Sequence, residues 1–136
     1  MKLRVDWDDK NNVAVVQYQD TVVADAVSFE AWRDELLAKL KRLFEHRARV
    51  KFPLVVCVDN FQMDWEWSDR YAEEVAVPAS TKYTTAIARY GTNVATRVMI
   101  ATEAMRNAYH ANLFESKAEA VAFVKKAGNA AERRSG

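Results

Sequence analysis

The sequence predicts an α/β fold: a single domain built on a mixed sheet of about five strands. Three observations carry this. Residues 2–7 alternate apolar and polar side chains, a polar turn follows, and a second β-rich run completes an antiparallel hairpin. After the hairpin, helical periodicities alternate with short apolar runs, the order expected of strands joined by right-handed crossovers. At 136 residues the chain is long enough to bury most of its apolar surface in one domain and too short for two independent cores.

In the first strand Leu3, Val5 and Trp7 share one face, and Lys2, Arg4 and Asp6 the other. Asp8 to Asn12 reads as the turn, and Val13 to Val23 as the second strand. Ser28 is placed as an N-cap for a helix whose Phe29, Trp32, Leu36, Leu37, Leu40, Leu43 and Phe44 recur at three- and four-residue steps. Its basic end (Arg42, His46, Arg47, Arg49, Lys51) opposes the negative pole of the helix dipole and reads as a solvated terminus.

Phe52 to Val58 is a continuous apolar run opened by Pro53, which predicts a central strand covered on both faces, with Cys57 a small buried hydrophobe. Phe61 to Trp67 alternates as an edge strand would. Asp64 as an N-cap, with Trp67, Tyr71 and Val75 at four-residue steps, favours instead a helix over about 65–76, ended by Pro78. Tyr83–Tyr90 reads as a strand, Gly91-Thr92-Asn93 as a turn and N-cap, Val94–Tyr109 as a helix, and Leu113-Phe114 as a very short strand. Ser116 and Glu119 form a capping box for a last helix carrying Ala120, Val121, Phe123 and Val124. The domain is expected to span 1–127, with 128–136 a frayed tail.

Composition narrows the function classes. With 20 basic and 19 acidic side chains the formal net charge is +1, which supplies no field for nucleic acid. The apolar runs are too short to span a bilayer, and the start, MKLRVDWDD, lacks a signal-peptide core, so a cytoplasmic protein is expected. One cysteine and two scattered histidines, His46 and His110, form no metal motif. No cofactor is expected, and no spacing marks a catalytic set.

With the elements in this order, the chain resembles a STAS-like (anti-sigma-factor-antagonist-like) domain over about residues 3 to 126. The likeness is carried by the opening hairpin, by Leu54–Val58 ending in Asp59-Asn60, and by Leu113-Phe114-Glu115-Ser116 with Ala118, Ala120 and Phe123. Asp59-Asn60-Phe61 with Asp64, and Lys82-Tyr83-Thr84-Thr85, are similar to a small domain appended to some acyl-CoA:acetate CoA-transferases. The STAS resemblance implies a regulatory domain with a phosphorylatable serine in an Asp-Ser-Ser sequence after the third strand. Here that place reads Asp64-Trp65-Glu66-Trp67-Ser68-Asp69. Bulky indoles replace small residues, and Glu66 and Asp69 oppose a phosphate on Ser68, so no phospho-switch is expected.

Trp65 and Trp67 are placed at the mouth of the sheet, outside the carboxyl ends of parallel strands, as packing, self-association or ligand-stacking residues. Asp59 and Asn60 close the central strand beside them. Arg89, Gly91, Thr92 and Asn93 stand where a strand meets a helix N-terminus able to hold an anion, with Arg97 one turn on. The expectation is a non-catalytic regulatory or protein-interaction domain, a homodimer through an aromatic patch around Trp65 and Trp67, binding a small anionic or acyl ligand at the sheet's carboxyl edge. The alternatives are a small enzyme using Asp59, Asp64 and Glu66 as acid-base groups, an accessory subunit of an acyl-CoA transferase, or a scaffold.

Overall fold

The computed structural model describes residues 2–106 and 112–135, with 103, 104, 106 and 129–135 described for backbone alone. The opening hairpin pairs β1 (Lys2–Asp8) with β2 (Val13–Gln19) in antiparallel register from Lys2–Gln19 to Asp8–Val13. Its turn is held by the Asp8 carboxylate, which accepts from the backbone of Lys10 (3.0 Å) and Asn11 (3.2 Å) and from the Asn11 side chain (2.8 Å). Asn12 supplies the left-handed residue (φ 55°).

The expected second strand, Val13 to Val23, is in fact two. Asp20 adopts φ 48°, which turns the chain out of the main sheet, and β3 (Thr21–Val23) pairs in parallel with β5 (Phe61–Met63) as a separate ribbon. The main sheet runs β1-β2-β4-β6-β7, with β4 (Phe52–Cys57), β6 (Thr84–Tyr90) and β7 (Leu113–Phe114) all parallel to β2. Pro53 lacks an N–H for the ladder, and β6 bulges at that point: Phe52 pairs with Thr84 but Pro53 with Ala86.

Helix α1 (Ala26–His46) begins three residues before the expected start. Asp25, not Ser28, is the N-cap; its carboxylate accepts from the Ser28 N–H (2.7 Å), while the Ser28 hydroxyl, at N3, accepts from the Asp25 N–H (3.1 Å). A serine can play either role in a capping box, and only the backbone geometry tells them apart. Phe29, Trp32, Leu36 and Leu40 are the buried stripe. At the other end the Arg49 N–H reaches back to Phe44 O (2.8 Å), and both Ala48 (φ 59°) and Arg49 (φ 58°) sit in the left-handed region.

The segment after β5 departs from one helix over 65–76 ended by Pro78. A 3₁₀ turn (Trp65–Trp67) leads into α2 (Ser68–Tyr71), a π-helical turn (Ala72–Ala76), and α3 (Val77–Lys82), which contains Pro78 in its first turn. The π turn widens the ring, with the Val77 N–H bonding Ala72 O, and α3 then starts afresh at a position where proline's missing N–H costs little. Helix α4 (Val94–Arg106) follows β6; the expected end at Tyr109, and His110, lie outside the described residues. Helix α5 (Lys117–Ser135) starts at the expected Ser116–Glu119 box and continues through the segment read as a tail. No helix among the described residues is long and apolar enough to cross a membrane.

Two cores lie on opposite faces of the sheet. Leu3, Ala14, Val16, Leu54 and Phe52 pack against α1 and against Val75 and Ala79 of the π-turn and α3 segment. Val13, Val15, Val55 and Ala88 pack against Ala120, Val121 and Val124 of α5. Leu54 and Val55 are both buried, as a strand covered on both faces requires. Ion pairs tie the layers together. Glu74 accepts from Arg33 of α1 and from Arg70 (2.6 Å), and Lys117 of α5 reaches Asp8 in the hairpin turn (2.9 Å).

Three outcomes follow from these contacts. Leu54→Asp places a carboxylate in a dry strand at a cost of several kcal/mol against a total stability of roughly 5–15, so the cooperative melt followed by circular dichroism should vanish. Ala48→Gly relieves a left-handed alanine and should stabilise by about 0.5–1 kcal/mol in urea titrations. The third concerns acid. Bonding to Arg70 holds the Glu74 carboxyl down to about 2, from an ordinary 4.5. Because the folded-state value is the lower one, this contribution is complete above about pH 4.5 and drains away as pH falls toward 2. Asp8, held well below the carboxylate range chiefly by Asn11 and Lys117, acts in the same sense. Glu74→Gln should therefore be less stable than wild type at pH 7 and lose less on acidification, the two urea midpoints converging toward pH 2.

Candidate functional site

Strands β2, β4 and β6 are mutually parallel, so their carboxyl ends meet at one edge of the sheet, where the chain leaves for β3, β5 and α4. An apolar cavity of about 80 Å³ opens there. Its floor is Val56 and Val58 of the central strand and its exit; Trp32 of α1, Phe61 and Met63 of β5, and Trp65, Ser68 and Tyr71 make one wall, and Thr96, Met99 and Ile100 of α4 the other.

The aromatic wall is internally braced. The Trp32 indole lies parallel to the Tyr71 ring (5.9 Å between centroids) and beside Phe61 (5.2 Å), and its N–H donates to the Tyr18 hydroxyl (3.3 Å). Burial pushes the Tyr18 phenol far up, so it stays protonated and serves as a neutral polar group.

Arg89 is the charge in this setting. It sits on β6 next to Ala88 and Tyr90, which face α5, and its own side chain turns to the opposite face and lines the cavity, only 7% exposed. Its guanidinium donates to the Tyr71 hydroxyl and lies 5.6 Å from that ring's centroid. A planar cation with several donors, beside a phenol and inside an apolar chamber, is suited to a carboxylate or another small planar anion.

The other expected site residues divide. Trp65 lines the cavity while remaining 59% exposed, as a rim residue does. Trp67 instead stacks on Phe29 (5.5 Å) and belongs to the α1-side core, so the paired-indole surface reduces to Trp65 alone. Asp59, Gly91 and Thr92 form a clasp between the ends of β4 and β6. The Asp59 carboxylate accepts from the Thr92 N–H (3.0 Å) and hydroxyl (3.2 Å), and a side chain at Gly91 would meet Val58 at 2.6 Å. Asn93 caps α4 by accepting from the Thr96 N–H (3.1 Å), and Arg97 donates to Gly91 O (2.6 Å) with Glu115 3.8 Å away. The entry to α4 thus already has a carboxylate and a cap on its N–H groups, and Arg97 braces the turn. Asn60, at φ 62°, gives its carbonyl to the Thr21 N–H (3.0 Å); with Asp59, Thr92 and Asn93 it borders a separate polar groove of about 610 Å³.

Of the acid-base alternative, Asp59 is committed to the clasp, while Asp64 and Glu66 are exposed and do not line the cavity. Cys57 is partly buried, its thiol pushed up by that burial and aimed at Asp59 Oδ2 (3.8 Å). Ser68 is 3% exposed. Among the described residues no three His, Cys, Asp or Glu side chains gather as metal ligands.

Sequence reasoning missed Trp32 as a cavity residue because it satisfies the core periodicity of its helix, and Tyr18, Phe61 and Met99 because nothing local sets them apart from other apolar residues of their elements. A usable signal was Arg89 itself, the one charge in Thr84–Tyr90, since a cation within a central strand must be housed and partnered. Comparison of the chain with protein-family models, with curated proteins and with solved structures finds no match.

Proposed function

We propose that this chain is a non-catalytic, STAS-like regulatory or interaction module of the cytoplasm that senses a small anionic or acyl molecule through the Arg89 cavity. The observation that carries the reading is a buried arginine, bonded to a tyrosine, inside an aromatic chamber at the carboxyl edge of parallel strands.

Volume restricts the ligand class. An engineered cavity of about 150 Å³ accommodates benzene, so 80 Å³ admits roughly half as much, on the order of three to five non-hydrogen atoms. That fits a short acyl chain or small monocarboxylate, its apolar end against Val56 and Phe61 and its carboxylate or carbonyl toward Arg89. A larger molecule would leave past Trp65. The non-catalytic reading is supported by the placement of Asp59, Asp64 and Glu66, none of which faces the chamber with a free carboxylate. Burial of Ser68 supports a ligand rather than a phosphate as the regulatory input, because a kinase needs an accessible hydroxyl.

Titration of the intrinsic tryptophan fluorescence with a series of linear monocarboxylates and their coenzyme A thioesters tests this. Saturable binding is expected for acids of a few carbons and should fall away as the chain lengthens beyond the chamber. A charge-assisted hydrogen bond contributes about 1.5–3 kcal/mol, so Arg89→Gln should weaken binding at least roughly tenfold, and Tyr71→Phe less. No saturable response from the wild type, or one untouched by Arg89→Gln in a variant that melts normally, would sink the proposal.

A further inference from the structure

One edge of the main sheet is β1, which lies beside β2 and contributes no residue to the cavity wall. It is seven residues long, and its sequence, Lys2-Leu3-Arg4-Val5-Asp6-Trp7-Asp8, has an unusual symmetry. Reversing it about Val5 exchanges Arg4 with Asp6 and Lys2 with Asp8, and Leu3 with Trp7. Every basic position maps onto an acidic one and every apolar position onto an apolar one.

Within the chain these charges have no cross-strand counterpart, since Lys2, Arg4, Asp6 and Asp8 stand opposite Gln19, Gln17, Val15 and Val13. The backbone phase is set as well. In an antiparallel pair, alternate residues turn their N–H and C=O toward the partner. The Lys2 carbonyl accepts from Thr21, just beyond the end of β2, and the next carbonyl, that of Leu3, accepts from Lys39 of α1; successive carbonyls of a strand point apart, so Leu3, Val5 and Trp7 are the residues whose main-chain groups face outward. Between this edge and α1 lies a groove of about 380 Å³ with Leu3, Val5 and Leu43 in its walls.

We infer that β1 is a self-complementary edge that pairs antiparallel with β1 of a second copy, across a two-fold axis through Val5. In that register Val5 meets Val5, and Leu3 meets Trp7 on either side, each pair exchanging both of its main-chain hydrogen bonds. Arg4 lies opposite Asp6 of the other copy, twice. Lys2 lies opposite Asp8, although Asp8 is already engaged by Asn11 and Lys117, so the Arg4–Asp6 pairs carry the selection. Their present partner is each other, two residues apart on one strand (3.2 Å), and both are exposed enough to exchange it. The Lys39 ammonium must swing off Leu3, which its flexible stem allows.

The same charges exclude the alternatives. In-register parallel pairing sets Lys2 and Arg4 against themselves and Asp6 against itself, and a slip by one residue turns the apolar face outward. A charged edge ordinarily prevents open-ended sheet growth; this one prevents it while leaving one closed arrangement favourable. The dimer joins two five-stranded sheets into one and leaves both Arg89 cavities, at the carboxyl edge, outside the contact.

Sedimentation of the full chain over a concentration series tests the inference, with circular dichroism melts confirming that each variant folds. Wild type should be a concentration-dependent dimer. Arg4→Asp and Asp6→Arg should each raise its Kd on the order of tenfold or more, because each creates two like-charge pairs. An equimolar mixture of the two variants should recover the wild-type Kd as a heterodimer, since Asp at position 4 then faces Arg at position 6 and the native pair faces its complement. Val5→Pro, which removes an outward N–H without touching the β2 ladder, should abolish association. A wild type monomeric at all concentrations overturns the inference. So does a dimer indifferent to these substitutions, or a mixture that fails to recover. A monomer whose edge instead takes up an acidic β-strand peptide assigns the groove to a different chain.

Discussion

Strand β4 has no exposed face, and most of the molecule is arranged around that constraint. Leu54 turns toward α1 and Val55 toward α5, so a helical layer is needed on each side, and both neighbouring strands must run parallel to let the crossovers cover them. Once β2, β4 and β6 are parallel, their carboxyl ends converge, and the chain leaving them has to make its turns over one edge. The cavity is a consequence of this convergence. Its floor is the end of β4, and its walls are whatever the departing segments bring back over it.

Arg89 is the costly member of that arrangement. Moving a guanidinium from water to an apolar chamber is unfavourable unless its donors find acceptors, and breaking such a set leaves an uncompensated charge. Tyr71 supplies one acceptor and a ring face. The position of Tyr71 is in turn set by Trp32 stacked beside it, and Trp32 by Tyr18 on β2, so the cation is housed by a chain of contacts that begins in the sheet it belongs to. These aromatic contacts hold the guanidinium at the wall of the cavity. If the proposed small ligand binds here, such preorganisation leaves little of its limited binding energy to be spent on ordering the protein.

The polar half of the same edge is built for stability. The Asp59 carboxylate satisfies Thr92 at the approach to α4, Gly91 allows the backbone to pass Val58, and Arg97 closes the turn from above. A helix N-terminus attracts anions, and here the anion comes from the protein itself. The two features that read alike in sequence, Arg89 and the Gly91-Thr92-Asn93 turn, are therefore placed differently: the turn ties the ends of β4 and β6 together and the arginine lines the cavity beside them.

What the sequence by itself determined is local. Alternation in Lys2–Trp7, the apolar stripe of α1, the continuous run Phe52–Val58 and the Ser116–Glu119 box each depend on neighbours within a few residues, and each reads true in the structure as an element of the expected kind. Errors fell where two local readings competed. Asp25 and Ser28 both suit a cap, Phe61–Met63 is too short to declare itself a strand without β3 beside it, and Pro78 marks a helix end only if no π turn precedes it. The site lay further still from view. Tyr18, Trp32, Phe61, Tyr71, Arg89 and Met99 come from six separate elements, and residues such as Tyr18 and Trp32 read as core because they do point inward. Whether inward means packed solid or facing a void depends on how the helices and the β3–β5 ribbon close over the sheet, and that distance is a property of long-range packing which no short window of sequence contains.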